Sequence, residues 1–260
     1  MMVYKKRLLG IDSDVQQEAN RALVKMAPNL QRRGFLLGSG LGTLSLLSGC
    51  SLSDESSVEK ALMTVSRFND RVQGALFSST ALAPTYTPAD MTRPFPFNAY
   101  YGEEEVVTVD EADYRLELAG LIANKQAWTL DALRALPQEE QITRHVCVEG
   151  WSAIGRWGGV RLSNFLQLIG ADTTAKYVGF KCADDYYTSI DMATALHPQT
   201  LLTLTYDGEV LPPKYGFPMK LRMPTKLGYK NPKHITTLFV ANAYTGGYWE
   251  DQGYNWFGGI

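Results

Sequence analysis

The sequence predicts a mixed α+β fold, in which helices and β-strands share one domain. The chain has 260 residues, of which 45% are hydrophobic and 20% charged, so it can bury a full core. Apolar residues recur at helical spacing in some segments and alternate with polar residues, as in half-buried strands, in others. No repeat of roughly 20–50 residues is visible, which favours a single domain from about residue 55 to residue 260.

Three segments have the spacing of amphipathic helices. In the first, apolar residues recur over residues 58–72 behind Ser57, a residue type that caps helices. Thr129 is placed to cap a short second helix, and a third helix is expected over about residues 163–169, ending at Gly170. The apolar residues of the first two helices are Val58, Leu62, Val65, Phe68 and Val72, followed by Leu130, Leu133 and Leu136.

Strands are predicted where apolar residues alternate with other types. Most of these segments lie in the C-terminal half, so strands should dominate there. Residues 235–241 form one such segment. The alternating residues of the others are Tyr114, Leu116 and Leu118, then Val178, Phe180 and Cys182, then Phe217, Met219, Leu221 and Met223.

The segment from residue 80 to residue 96 contains too many prolines for a helix or a central strand. Proline lacks a backbone N–H group and fixes its φ angle, so the four prolines predict an extended arm across the surface of the domain. We expect this arm to deliver Asn98 to the structure beneath it. The prolines are Pro84, Pro88, Pro94 and Pro96.

Charge and cysteine content exclude several classes of protein. A formal net charge of −2 supplies no basic surface for a phosphate backbone, so nucleic acid is not an expected partner. Cys50, Cys147 and Cys182 form no CxxC pair, which argues against a structural zinc site. No CxxCH or iron–sulfur spacing occurs, so we expect no heme or cluster in this chain. A disulfide between Cys147 and Cys182 stays open.

Residues 1–50 have the organisation of an export signal. Arg32 and Arg33 precede an uncharged run, residues 34–49, which is shorter than the ~20 apolar residues that span a bilayer. The pair resembles the twin-arginine export signal, which is read by a receptor. The run ends at Cys50 in a segment that resembles the lipobox of bacterial lipoproteins. We therefore predict a periplasmic protein, with a lipidated Cys50 as a membrane anchor or, alternatively, a cysteine within a discarded signal.

The densest cluster of chemically active side chains surrounds Cys147. The cations Arg144 and His145 precede it, and Glu149 and Trp151 follow it. Nearby cations lower the pKa of a thiol, and the thiolate acts as a nucleophile or as a soft metal ligand. Two other interpretations are a buried structural cysteine at the end of a strand and a cysteine protease with a histidine base. The candidate bases are His145, His197 and His234.

The segment Cys147-Val148-Glu149-Gly150-Trp151-Ser152 resembles the molybdenum-binding segment of the sulfite oxidase family. It is more similar to the periplasmic protein-methionine-sulfoxide reductase catalytic subunits of that family than to eukaryotic sulfite oxidases. The resemblance implies that Cys147 is catalytic and binds molybdenum directly, beside the dithiolene of one pterin, as suits a soft thiolate. It implies a molybdopterin-binding domain over residues 98–260, preceded in residues 51–97 by a tether, the first helix and the extended arm.

Further segments resemble the family's cofactor site. Residues 98–102 resemble its early cofactor loop, and Cys182 stands where the family presents a hydroxyl-bearing residue, so its donor is weaker. Residues 215–224 resemble a strand that supplies a polar contact and a cation, and residues 228–233 resemble a loop that wraps the pterin phosphate. The residues so assigned to the cofactor are Asn98, Tyr101, Gly102, Cys182, Tyr215, Lys220, Asn231, Pro232 and Lys233.

The resemblance implies two-electron oxygen-atom transfer, with reduction of small or protein-bound sulfoxides, such as methionine sulfoxide, or of related S- and N-oxides. One alternative is oxidation of a small anion such as sulfite, for which Arg144, Arg156 and Lys226 are candidate binding residues. Another is a non-catalytic lipoprotein that keeps the fold. Because no heme or cluster site is expected in this chain, electrons should pass through a partner, either a membrane heme- or quinone-linked subunit or a cytochrome.

Overall fold

The computed structural model describes residues 55–260, and the side chains of residues 55–59 and 61 are outside the description. The predicted signal and Cys50 therefore lie outside the described residues. A boundary between two units falls between Val65 and Ser66, and the sheets and the remaining helices all belong to the second unit, Ser66–Ile260. Among the described residues, no helix is long and apolar enough to cross a membrane.

Helices and strands share the second unit, which confirms the predicted α+β class. The helices are α1 (Glu55–Leu76), α2 (Leu130–Arg134), α3 (Leu162–Leu168) and α4 (Met192–Ala195). The strands are β1 (Glu117–Gly120), β2 (Glu139–Val146), β3 (Ser152–Arg161), β4 (Tyr177–Cys182), β5 (Tyr187–Asp191), β6 (Leu201–Tyr206), β7 (Glu209–Val210), β8 (Lys220–Arg222) and β9 (Ile235–Ala241). Single 3-10 turns occur at Pro88–Asp90, Glu103–Glu105, Pro213–Tyr215, Gly228–Lys230 and Glu250–Gln252.

The strands form two sheets. One sheet has the order β1-β9-β4-β5, with β1 parallel to β9 and the other neighbours antiparallel. The other has the order β2-β3-β6-β7, and β8 pairs with β6 beside that path. Strands β2 and β3 are antiparallel neighbours, so residues 147–151 form the loop of a hairpin. This hairpin places Cys147 at the end of the second sheet.

Most of the predicted helices and strands occur where the spacing placed them. The Thr129 hydroxyl accepts a hydrogen bond from Ala132 N and caps α2, and Gly170, with a φ of +65°, follows α3. Strand β9 covers the predicted residues 235–241. Two details were wrong. Helix α1 begins at Glu55, so Ser57 lies inside it rather than at its cap. The strand predicted over residues 217–223 is limited to β8, and Pro218, which precedes β8, has no backbone N–H group to donate to a neighbouring strand.

The proline-rich arm runs extended across the second sheet, as predicted, apart from the 3-10 turn at Pro88–Asp90. Tyr86 N donates to Ile142 O of β2 at 3.0 Å, and Thr92 N donates to Ile154 O of β3 at 2.9 Å. The arm ends in Phe95, whose ring packs edge-on against the buried Trp157 with the ring centroids 5.2 Å apart. Backbone hydrogen bonds and this aromatic contact therefore fix where Asn98 lies.

Burial within α3 predicts a sharp contrast between two leucines. Leu166 is fully buried and Leu168 is 52% exposed on the same helix. Leu166→Ala should lower the free energy of unfolding by about 2–5 kcal/mol, because the large-to-small change leaves a cavity. Leu168→Ala is the matched control and should change it by about 0.5 kcal/mol or less. Urea denaturation measures both, and equal effects would contradict the assigned faces of α3.

Candidate active site

Cys147 lies in the β2–β3 hairpin loop, held by the loop's own backbone. Its N–H donates to Trp151 O at 2.8 Å, and Gly150 N donates to Cys147 O at 3.1 Å. Gly150 has a φ of +93°, a conformation that favours glycine, so the turn explains the glycine at this position. The cysteine is only 4% exposed. The loop thus presents a nearly buried sulfur in a fixed position.

Two polar side chains contact the sulfur of Cys147. Asn98 Nδ2 donates to Sγ at 3.4 Å, and the thiol donates to Glu149 Oε2 at 3.6 Å. The same carboxylate oxygen accepts from Trp151 Nε1 at 2.9 Å. The proline-rich arm therefore brings Asn98 into contact with Cys147, 49 residues further along the chain. The resemblance had assigned both residues to the same cofactor.

The expectation that neighbouring cations lower the pKa of Cys147 was wrong. Burial raises the pKa of the Cys147 thiol, and the Glu149 carboxylate raises it further, against opposing backbone N–H groups. The Arg144 guanidinium lies over the Tyr86 ring, 5.3 Å from its centroid. Burial, together with nearby cations, lowers the pKa of His145 well below its usual value, so that imidazole is neutral.

Three cations are buried near His145. Lys220 is 3%, Arg222 0% and Lys233 8% exposed. Among residues 55–260, no carboxylate forms an ion pair with any of the three. Burial lowers the pKa of Lys220 well below its usual value and that of Lys233 to about 8. Burying cations without anionic partners costs free energy, and a bound anion offsets that cost. We call Lys220, Arg222 and Lys233 the cation cluster.

Within the described part of the chain, His145 has no hydrogen-bond partner at either ring nitrogen, although it is only 1% exposed. Such an orphaned buried group marks a place where a ligand is expected. A Cβ atom added to Gly228 would lie 2.7 Å from His145 Nε2, so the backbone of the Gly228–Lys230 turn approaches the imidazole closely. The imidazole, the glycine backbone and the cation cluster, whose charges contribute to the low pKa of His145, form one polar region.

The early loop, residues 98–102, is held at its far end by Asp184. Tyr101 donates to Asp184 Oδ2 at 2.8 Å, and Tyr100 donates to Asp184 O. Gly102 N donates to Glu105 Oε2 at 3.0 Å. Burial, followed by Asp184 and more weakly by Cys182, raises the pKa of Tyr101. The loop's polar groups are thus largely satisfied within the protein.

Cys182 ends β4 and is 8% exposed. It lines a pocket of about 230 Å³ together with Tyr186, Phe239 and neighbouring residues. Burial raises the pKa of its thiol well above the usual value, so it is a neutral group. Cys147 and Cys182 are both free cysteines, which answers the question of a disulfide between them.

Other assigned residues support the cation cluster. Asn231 Oδ1 accepts from Met223 N at 2.6 Å and from Arg222 Nη1 at 3.3 Å, so its amide holds β8 in place. Pro232 O accepts from Leu221 N at 2.9 Å. Tyr215 lies in a 3-10 turn rather than a strand and donates to Phe95 O at 2.8 Å. The polar groups of these three residues thus hold neighbouring segments of the site in place.

Sequence reasoning missed Arg222 and Asp184. Arg222 lies two residues after Lys220 on β8, and side chains two apart on a strand share a face, so the alternation itself could have indicated a second cation there.

The cations proposed for a sulfite pocket are engaged elsewhere. Arg156 pairs with Glu140 at 2.8 Å and Lys226 with Asp191 at 3.4 Å.

The C-terminal segment packs against the early loop. The Tyr248 ring stacks on the Tyr100 ring with the centroids 4.6 Å apart. Glu250 forms a buried ion pair with Lys230, whose Nζ also donates to Ser189 O at 2.7 Å. These contacts fix the C-terminal segment beside the candidate cofactor loop.

Comparison with known proteins identifies relatives of the chain. Residues 103–249 match the oxidoreductase molybdopterin-binding domain family. A putative protein-methionine-sulfoxide reductase subunit, YedZ1, of Azospira oryzae is 69% identical over 229 residues, which are 88% of this chain and 87% of that protein. The protein-methionine-sulfoxide reductase catalytic subunit MsrP of Burkholderia mallei is 33% identical over 141 residues, 48% of this chain and 43% of its own length.

A solved structure with a similar fold is the sulfane dehydrogenase SoxCD of Paracoccus pantotrophus. The TM-score is 0.50 at 20% identity, over 53% of this chain and 40% of that chain. At this identity the likeness concerns the fold alone.

Glu149 should control the acidity of Cys147. Glu149→Gln removes a negative charge and a carboxylate acceptor beside the thiol, so the pKa of Cys147 should fall. The pH dependence of iodoacetamide labelling of cofactor-free protein, read at the Cys147 peptide by mass spectrometry, measures it. Glu140→Gln, in β2, is the charge-matched control. An unchanged or higher pKa in Glu149→Gln would contradict the contact.

The buried Lys233 should make cofactor-free protein more stable as pH rises. Its pKa of about 8 lies below the usual 10.5, so between these values the unfolded chain binds more protons than the folded one, and stability increases with pH. Thermal unfolding at pH 7 and pH 10 should show a smaller gain in Lys233→Met than in wild type. An equal gain in both proteins would mean that Lys233 is not desolvated as described.

Proposed function

Because the chain belongs to the oxidoreductase molybdopterin-binding family and is therefore a molybdopterin-dependent oxidoreductase, we propose that it reduces sulfoxides, including methionine sulfoxide or related S- and N-oxides. The proposal of substrate follows the similarity to proteins named protein-methionine-sulfoxide reductases. Reduction of a sulfoxide consumes two protons and two electrons and yields a sulfide and water. A bound molybdenum cofactor would supply the two-electron oxygen-atom transfer.

The residues of the site fit such a cofactor. Among residues 55–260, no group of three or more His, Cys, Asp or Glu side chains is placed to hold a metal ion. A metal at Cys147 would therefore need ligands from outside the protein, as a single pterin dithiolene provides. The cation cluster fits the anionic pterin phosphate, and the orphaned His145 offers a further polar contact. The contact of Asn98 with the Cys147 sulfur is the observation that carries the proposal.

Each protein group has a defined task in this proposal. Cys147 would hold the metal as a thiolate, for which its thiol would have to lose its proton. Asn98 Nδ2 remains as a donor to the sulfur and fixes its orientation. The nearly complete burial of Cys147 would keep water from a metal held there, while hydrogen bonds of Tyr101 and Gly102 hold the early loop that would contact the pterin. The protein thus positions the cofactor and shields it.

A sulfoxide suits the site better than sulfite does. A sulfoxide is a neutral dipole, whereas sulfite is an anion that needs cations of its own. Arg156 and Lys226 already pair with carboxylates, and Arg144 lies over Tyr86. Because the cation cluster is assigned to the pterin phosphate, it does not serve an anionic substrate in this proposal.

The electron donor is proposed to be another protein. A membrane heme- or quinone-linked subunit, or a soluble cytochrome, would deliver the two electrons to the cofactor, because the sequence contains no CxxCH segment for heme attachment. The paired arginines and the segment ending at Cys50 support export to the periplasm, with a lipid anchor at Cys50.

Metal analysis of the exported protein tests this function. Wild type should contain about one molybdenum and one pterin per chain and reduce methionine sulfoxide with a chemical electron donor, while Cys147→Ser should lose activity by at least about 10³-fold because the thiolate is lost. Cys182→Ser introduces the hydroxyl that the resemblance to the family implies at that position, so this variant should keep its metal and most of its activity.

The outcomes separate the alternatives. Metal-loaded protein that oxidises sulfite but reduces no sulfoxide would favour the sulfite-type reaction. Wild-type protein without pterin, purified from a host that makes the cofactor, would favour the non-catalytic lipoprotein. Equal activity of Cys147→Ser and wild type would refute metal ligation by Cys147.

A further inference from the structure

Helix α1 contacts the rest of the second unit with polar side chains and turns apolar ones to solvent. Phe257 N donates to Asp70 Oδ1 at 2.8 Å, and Gly259 N donates to Gln73 Oε1 at 3.2 Å. Phe68 is 61%, Val72 41% and Leu76 80% exposed. An amphipathic helix on a globular domain usually buries its apolar side. The packing of this domain therefore does not explain the apolar residues of α1.

The apolar residues form a continuous row along the helix. Leu62 and Val65, in the preceding turns, are also exposed, at 65% and 57%. The spacings of three and four residues place them in line with Phe68, Val72 and Leu76 on one face. Contiguous exposed apolar surface on a soluble domain marks an interaction site. We call these five residues the apolar row.

A second row, of cations, runs beside the apolar row. Lys60, Arg67 and Arg71 are seven and four residues apart, which places them on one side of the helix, and all three are exposed. None of them forms an ion pair with a described carboxylate. By helical spacing they lie between the apolar row and the side that carries Asp70. The outward surface of α1 is therefore apolar with a basic edge.

We propose that α1 lies on the surface of a bilayer that contains anionic lipids, with the apolar row among the acyl chains and the cations at the headgroups. A basic edge beside an apolar face is the pattern of helices that lie in the membrane interface, because long basic side chains reach the phosphates while their stems stay apolar. A lipid surface needs no shaped partner, only the area and the charge that α1 offers. The helix begins five residues after Cys50, within about 18 Å of it even in a fully extended chain.

This inference concerns attachment and does not rest on the proposed reaction or on acylation of Cys50. It assigns α1 as a second contact that lies along the surface without crossing it. A single lipid chain binds membranes only marginally, so a second contact would make attachment stable if Cys50 is acylated. The orientation of the domain on the membrane would then be set by α1.

Depth measurements on the cofactor-loaded full chain test the proposal. A fluorophore is attached at Phe68→Cys, Val72→Cys or, as the control, Val210→Cys in β7, which is 54% exposed. Each protein also carries Cys50→Ser, so that the labelled position is the one exposed cysteine, Cys147 and Cys182 being buried. The proteins are mixed with vesicles of phosphatidylglycerol and brominated phosphatidylcholine. The labelled proteins all have the same residues 1–54, including Cys50→Ser. Differences in quenching between them therefore report the position of the label.

We expect bromine quenching at positions 68 and 72 to exceed that at position 210 by about threefold or more, because only α1 enters the interface. Replacing phosphatidylglycerol with phosphatidylcholine, or introducing Arg67→Gln with Arg71→Gln, should reduce quenching at position 68 by at least about twofold. Equal quenching at the three positions would overturn the proposal. The proposal would also be overturned if the chain self-associated, Phe68→Gln dispersed the oligomers and the label at position 72 showed no quenching. In that case the apolar row would bind protein instead of lipid.

Discussion

Lys220, Arg222 and Lys233 are buried together, none of them in an ion pair with a carboxylate of residues 55–260, and much of the surrounding structure keeps them there. Asn231 Oδ1 accepts from the Arg222 guanidinium and from Met223 N, just after β8, while the Trp157 ring centroid lies 5.6 Å from Lys220 Nζ and 5.9 Å from Arg222 Cζ. Arg222 also donates to Arg144 O at the end of β2. The cost of burying these charges is thereby met only in part within the protein, and in the proposed function an anionic ligand would supply the remainder. A domain that needed stability alone would bury apolar residues at these positions.

The hairpin of β2 and β3 joins this region to the sulfur of Cys147. His145 and Cys147 are two residues apart, at and just beyond the end of one strand, so the position of the hairpin sets the thiol and the imidazole together. The extended arm adds Asn98 from outside the sheet. Its backbone hydrogen bonds to β2 and β3 mean that the donor to the sulfur and the sulfur itself rest on the same two strands.

Elements with a strong local pattern were predictable from sequence, and those that depend on distant partners were not. Helices α2 and α3 carry their caps and stops in the chain, and β9 alternates clearly. Strand β3 contains three glycines, and Gly159 is needed because Leu202 O would lie 2.0 Å from a Cβ atom there. That requirement comes from β6, more than 40 residues away, so no local pattern could show it. Strands β2, β5, β6 and β7 were missed for the same reason.

Within the site, Cys147 and its cofactor assignments came from resemblance, whereas its environment needed coordinates. The sequence placed Arg144 beside Cys147, but the guanidinium lies over Tyr86, and the charge that reaches the thiol is that of Glu149. Arg222 was hidden between Leu221 and Met223, in a run buried on both faces. The resemblance therefore indicated the chemistry, while the three-dimensional packing decided the charge around the sulfur.

The buried pair of Lys230 and Glu250 also bears on how the chain is made. Lys230 is synthesised twenty residues before its partner, and Tyr100 about 150 residues before the Tyr248 ring that stacks on it. While the C-terminal residues are still within the ribosome, the early loop lacks its aromatic cover and Lys230 lacks its counter-charge. The early loop and Lys230 thus acquire these contacts only once residues 248–250 have emerged, so folding around the loop depends on late contacts between distant parts of the chain.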